Sequence, residues 1–215
     1  MNVLFCTTEV HPFSRVGGLA DFSSYFPRHL AESGATVQII TPLYREAQRF
    51  AQKIEPLEAY PKVRILIGSE PFEVTYHKAL LPGSEIPVIF VQCDPFFGRD
   101  GIYTNPSDGL GFADNHRRFI LFDEAILHLI QMGIVTPDLV HVNDHHTALI
   151  PALLRSRRSR TPAFANIKTL LTIHNVIYQT DCEESFAYLL GLDEGFFAPS
   201  GPYQQIGRAS CRERG

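Results

Sequence analysis

Several features that would narrow the function at once are missing. Only four cysteines are present, Cys6, Cys93, Cys182 and Cys211. They lie far apart with no CxxC pair, which excludes a disulfide framework and a zinc ribbon and makes reduced thiols in a cytoplasmic setting the expectation. The opening Met1-Asn2-Val3-Leu4-Phe5-Cys6 reaches Glu9 without the basic start and long apolar run of a secretory leader. No stretch approaches the roughly 18 consecutive apolar residues of a membrane helix, so no membrane partner is expected. Positive charge is not in excess either. With 19 Lys and Arg against 23 Asp and Glu, the net charge is −4, which removes any global attraction to nucleic acid or anionic lipid. A GxGxxG loop is also lacking, and no acid closes the second predicted strand, which disfavours a nicotinamide dinucleotide site.

What is present suits one large α/β domain. The chain has 215 residues, 45% of them hydrophobic, enough to bury a single sizeable core. We expect that domain to occupy residues 1–205. Residues 206–215, Ile206-Gly207-Arg208-Ala209-Ser210-Cys211-Arg212-Glu213-Arg214-Gly215, follow a Gly/Pro-rich stretch without periodicity and read as vector- or adaptor-derived.

Residues 3–7 form a short apolar run without polar alternation, the pattern of a strand covered on both faces. Gly17-Gly18 separates it from a helix whose Leu19, Phe22, Phe26 and Leu30 share one face, with Pro27 expected to kink or break it and Gly34 to end it. Residues 37–40 supply the next strand. Residues 63–67, 72–76 and 88–91 are strand-like and separated by turn residues, predicting a hairpin excursion that returns to the main sheet. Residues 94–111 read as a long loop, 112–132 as the strongest helix, 138–142 as a strand, 145–155 as a helix and 168–173 as a further strand. Strands alternating with helices predict a Rossmann-like, doubly wound, mostly parallel sheet. The basic run at residues 155–160 falls at a helix C-terminus, where cations suit the helix dipole, and reads as a solvated face.

In such a sheet ligands bind beyond the carboxyl ends of the strands, and three strand-end segments hold unusual polar residues. Ser14-Arg15-Val16-Gly17-Gly18-Leu19-Ala20-Asp21 combines close-approach glycines, a helix start and a cation, which suit a phosphate or pyrophosphate; a ligand-free tight turn is the bland alternative. His141-Val142-Asn143-Asp144-His145-His146 follows a strand, and Asp144 there is open to a helix-capping role. Its histidines raise a metal site, but neither the HxHxDH order nor HExxH is met, so no metal is expected. Thr172-Ile173-His174-Asn175 ends a buried-looking strand in His-Asn, which suits either a hydrogen-bonded core histidine or a site residue.

Four segments in order carry a resemblance covering most of the first 195 residues. Thr8-Glu9-Val10-His11-Pro12-Phe13 with Arg15-Val16-Gly17-Gly18-Leu19-Ala20-Asp21 is similar to SE-x-x-P-x-x-K-x-GGL-x-D. Tyr103, Ala113-Asp114-Asn115 and Arg118-Phe119 are similar to Y…DN-x-x-RF. His141-Val142-Asn143-Asp144-His145-His146-Thr147-Ala148 is similar to H-x-HDWH-x-A, and Thr172-Ile173-His174-Asn175-Val176-Ile177-Tyr178-Gln179 to T-[IV]-HN-x-x-YQ. Together they resemble the N-terminal catalytic domain of the bacterial glycogen synthase and plant starch synthase family, retaining glycosyltransferases of the GT-B architecture. Arg15 stands where that family has lysine, and Asn143 and His145 stand where it has the first His and the Trp of HDWH.

The resemblance implies the first half of a GT-B fold and transfer of glucose from ADP-glucose to the nonreducing end of an α-1,4-glucan with retention. No cofactor beyond the donor is implied. Arg15, Gly17 and Gly18 would face the donor phosphates, His174 and Asp144 the reacting glucose, and Asp21, Tyr103, Asn115 and Asn175 sugar or glucan hydroxyls. The partner it implies is a C-terminal domain of the same enzyme, without which the chain is expected to be inactive. Two other readings are a non-catalytic glucan-binding or regulatory relative, and a metal-dependent hydrolase built on the His141 cluster.

Overall fold

A computed structural model of the chain describes residues 1–58, 62–175 and 189. Its centre is a parallel sheet. The strands are β1 (Asn2–Cys6), β2 (Thr36–Pro42), β3 (Glu55–Pro56), β4 (Val63–Ile67), β5 (Glu70–Leu80), β6 (Pro87–Gln92), β7 (Leu139–Asn143) and β8 (Lys168–Thr172). Spatial order is β3-β5-β6-β2-β1-β7-β8, with β4 paired to β5 outside that path. From β6 through β8 every neighbouring pair is parallel, whereas β3, β4 and β6 all meet β5 antiparallel. The hairpin excursion is β4–β5, and β6 is its return to the main sheet.

Helices α1 (Gly18–Glu32), α2 (Asp94–Phe97), α3 (Asn115–Gln131) and α4 (Leu149–Arg157) connect these strands. Alternation along β1 feeds two cores. Val3 and Phe5 face α1, where Phe22, Phe26 and Leu30 pack on them, and Leu4 and Cys6 face the layer containing Phe122, Ile126, Leu129 and Leu153 of α3 and α4. Both faces of the central strands are therefore dry, which is why their sequences are apolar runs. A fully buried phenylalanine such as Phe5 or Phe122 contributes about 1.5–3 kcal/mol.

The structure departs from the sequence-based expectations at four places. Helix α1 runs unbroken through Pro27. The Arg28 guanidinium donates to the Ser24 carbonyl at 3.0 Å, within the turn that the proline opens. The region 145–155 is not one helix: a short 3-10 turn, His145–Thr147, precedes α4. The 94–111 loop begins with α2, which has Pro95 in its first turn, a favourable place for proline because the missing N–H has no partner there. Gly101 in that loop adopts φ +85°, and a Cβ there would lie 2.1 Å from the Thr104 carbonyl oxygen, so only glycine fits. Strand β8 is the fourth departure. It looked buried, but among the described residues it lies at the sheet edge with only β7 beside it, and Leu170 and Leu171 are exposed.

Candidate active site

The strand order reverses at β1, which has β2 on one side and β7 on the other. In a doubly wound sheet this switch point opens a crevice between the carboxyl ends of the two strands. The β1–α1 loop, the turn after β7 and the segment after β8 all emerge there, so the three polar segments share one rim.

After β7 the chain turns sharply at Asp144, whose φ of +57° is in the left-handed region, unusual for a residue other than glycine. The turn is held by hydrogen bonds on every side. The Asp144 amide donates to the Thr172 carbonyl at 2.9 Å. Thr147 accepts the Asn143 amide at 2.8 Å and donates back to the Asn143 carbonyl at 2.9 Å. The Asp144 carboxylate does not cap the following helix. Its Oδ1 instead accepts the backbone N–H groups of His174 at 2.6 Å and Asn175 at 3.3 Å. Asp144 thus fixes the chain leaving β8, and His174 rests its ring 4.5 Å from the Phe22 ring of α1. Asn143 completes the arrangement: its Oδ1 lies 3.0 Å from His174 Nε2, while its Nδ2 donates to the Cys6 carbonyl of β1 at 3.0 Å.

His141, two residues earlier on the same face, is buried against Phe5 and Phe26 and meets Thr172 Oγ1 at 2.8 Å. Burial, with a smaller contribution from His174, pushes its imidazole down to about 4, so the ring is neutral near pH 7. His146 is held well below the usual histidine range by burial and by the neighbouring His145 and Arg118. Its ring stacks on Tyr103 at 4.6 Å and meets Phe119 edge-on at 4.5 Å.

The β1–α1 loop is organised around the buried Glu9. Its Oε2 accepts the amides of Val16 at 2.6 Å and Gly17 at 2.8 Å, and its Oε1 accepts the Tyr103 hydroxyl at 2.8 Å. The Gly17 amide is therefore engaged inside the protein. Gly18, the first residue of α1, lies exposed on the rim. Arg15 pairs with Asp21 at 2.9 Å, both substantially exposed, so charge at this edge is open to exchange with a ligand.

Tyr103 is anchored at both ends. Its hydroxyl meets Thr8 at 2.7 Å as well as Glu9, and its carbonyl accepts Asn115 Nδ2 at 2.9 Å. Asn115 Oδ1 accepts Arg118 Nη1 at 2.6 Å, and the buried Arg118 guanidinium also donates to the Phe96 and Ile102 carbonyls. Asn115 thus has both side-chain polar atoms engaged within the fold, Nδ2 by the Tyr103 carbonyl and Oδ1 by Arg118. Sequence reasoning did not single out Glu9, Asn143, Thr147 or Phe22 as site-forming. Glu9, Asn143 and Thr147 lay inside quoted motifs and Phe22 on a predicted helix face, but the long-range partners of Glu9, Asn143 and Phe22 are tertiary. Residues 176–179, the end of the fourth motif, and the 206–215 tail lie outside the described residues. Among the described residues no group of three or more His, Cys, Asp or Glu is placed to hold a metal ion, and no helix is long and apolar enough to cross a membrane.

Comparison with known proteins identifies the family and the fold. A family model for the starch synthase catalytic domain matches residues 2–210. Glycogen synthase of Syntrophotalea carbinolica is 34% identical over 204 residues, covering 94% of this chain and 40% of that one. Glycogen synthase of Thermotoga maritima is 33% identical over 205 residues, with the same two shares of 94% and 40%. The chain therefore spans about 40% of the length of the curated relatives it matches. The catalytic domain of starch synthase IV from Arabidopsis thaliana, solved bound to ADP and acarbose, superposes with a TM-score of 0.74 at 24% identity, over 90% of this chain and 37% of that one. That likeness establishes the fold, and the near-complete match to the family model establishes the family: the chain belongs to the starch synthase catalytic domain family.

Proposed function

We propose that this chain forms one wall of a glucosyl-transfer site that moves glucose from ADP-glucose to the nonreducing end of an α-1,4-glucan with retention of configuration. The observation that carries this reading is the rim at the β1/β7 switch point, where Asp144 holds the His174 backbone at 2.6 Å in a chain of this family. Departure of the diphosphate develops positive charge on the sugar and negative charge on the leaving group, so catalysis requires groups fixed in advance against both. His174 and Asp144 serve the sugar side. Arg15 and the start of α1 at Gly18 serve the phosphate side, with Asp21 released from Arg15 to meet a sugar hydroxyl. Tyr103 and Asn175 border the glucan, and Asn115 acts through Tyr103. The second wall belongs to the part of the relatives that this chain does not span.

Incorporation of radiolabelled glucose into glycogen tests the reading. An enzyme with the full length of the relatives should transfer glucose, and His174→Ala within it should lower turnover by about two to three orders of magnitude while the protein stays folded. Residues 1–215 alone should give no transfer above the blank, because positioning and exclusion of water both need two walls. Near-normal turnover of the folded His174→Ala enzyme would overturn the role assigned to His174. A full-length enzyme that binds glucan yet transfers nothing would favour a non-catalytic relative instead.

A further inference from the structure

We infer that Asn143 is a positioning residue: it commits the His174 imidazole to the form protonated at Nε2 and leaves Nδ1 as a hydrogen-bond acceptor. Asn143 ends β7 and is fully buried. Its Nδ2 donates to the Cys6 carbonyl at 3.0 Å and lies 3.5 Å from the His141 carbonyl. Carbonyl oxygens only accept, so the amide nitrogen must be the atom that faces them. Turning the amide over would set its oxygen against two carbonyl oxygens at a fully buried position, leaving acceptors unsatisfied. The amide is thereby oriented by β1, and its Oδ1 is the atom 3.0 Å from His174 Nε2. An amide oxygen also only accepts, so the proton on that contact belongs to Nε2.

His174 is exposed, yet it is held on two further sides. Its backbone is held by Asp144 and its face lies against Phe22. His141 offers an instructive contrast, because its partner at 2.8 Å is the Thr172 hydroxyl, which both donates and accepts and so fixes no tautomer. A neutral imidazole carries one N–H, so fixing it at Nε2 makes Nδ1 a lone pair. The tautomer follows from the geometry of this chain alone. Its consequence rests on the proposed function: a sugar hydroxyl meeting His174 at Nδ1 must donate. Loss of Asn143 would let the ring present a donor at that atom, and the hydroxyl would be turned away or reversed.

Nitrogen-15 NMR of histidine rings in the labelled chain tests this, recorded where the imidazoles are neutral and with the His174 signals identified by their loss in His174→Gln. In the unsubstituted chain Nε2 should carry the protonated-type shift and Nδ1 the unprotonated one. Asn143→Leu should lose that pattern, both ring nitrogens moving toward intermediate shifts as the two tautomers exchange. An unprotonated Nε2 in the unsubstituted chain overturns the inference, and so does an unchanged pattern in Asn143→Leu. If Asn143→Leu does not fold, the unsubstituted spectrum still decides. The reading involves no sugar transfer, so its failure and that of the proposed function are separable.

Discussion

The rim of the parallel strands and the antiparallel excursion belong to one sheet, yet they use polar residues in opposite ways. On the rim, Glu9, Asn143, Asp144 and Thr147 are buried; Thr147 closes the turn after β7 locally, and the hydrogen bonds of the other three link segments far apart in the chain. On the excursion, β5 alternates apolar and polar residues, its buried Phe72, Val74 and Tyr76 facing the core and its charges facing water. Lys62 bonds Glu73, and Arg117 bonds Glu70, through ion pairs on the surface. A buried polar group without its partner loses the full cost of desolvation, whereas an exposed one returns to water. The rim should therefore be fragile to substitution and to acid, and the excursion tolerant of both.

The largest effect expected from this difference is acid sensitivity centred on His141. In the unfolded chain its imidazole titrates near the ordinary 6.5, and burial holds it at about 4 in the fold. Between those values the unfolded chain binds a proton that the folded chain refuses, so falling pH favours unfolding. The stabilising contribution is complete above about pH 6.5 and is lost by about pH 4, with a full size of about 3 kcal/mol. His146, also held neutral by burial, adds in the same direction. Urea unfolding measured at a series of pH values should show this decline, and His141→Gln should flatten it. An equally steep decline in that variant would break the contrast at its strongest point.

Asp144 comes next. Replacing it with alanine removes the acceptor for the His174 and Asn175 amides and keeps a Cβ at a φ of +57°. Loss of a charged acceptor from two part-buried hydrogen bonds predicts a cost of about 1.5 kcal/mol. Asp144→Gly loses the same acceptor but relieves the backbone, so it should be less destabilising than Asp144→Ala by about 1 kcal/mol. Equal stabilities of the two, read from urea midpoints, would mean that the turn stores no backbone strain.

The sheet was legible from sequence because its signal is local. The runs around Val3, Val37, Val88, Val140 and Leu170 each carry a strand, and the turn at Gly68-Ser69 announces the hairpin. Parallel pairing followed from the alternation of strands and helices, whereas the order of strands along the sheet did not. The rim was legible only as three polar strand ends. Asp144 sits at a strand-to-helix junction, where a carboxylate ordinarily caps; that it turns instead to the His174 amide, 30 residues on, is a tertiary choice. The Glu9 carboxylate likewise divides between Gly17, 8 residues away, and Tyr103, 94 residues away. Even the exposure of β8 could not be read from its apolar sequence, since a strand's composition does not reveal what packs over its faces.

The smallest expected effect lies on the excursion and serves as the control for the others. Lys62 Nζ and Glu73 Oε2 are 2.8 Å apart, and the Lys62 ammonium draws the Glu73 carboxyl below the usual carboxylate range. That shift looks like a stabilising interaction, but both side chains stand more than half exposed, at 57% and 63%. Water and salt screen the attraction, and ordering two long side chains opposes it. Breaking the pair leaves neither charge buried. Lys62→Ala should therefore leave the urea midpoint unchanged within error at pH 7, and added salt should not separate the variant from its parent. A loss as large as that of Asp144→Ala would show that the excursion depends on its polar contacts as heavily as the rim does, and the distinction between the two ends of the sheet would fail.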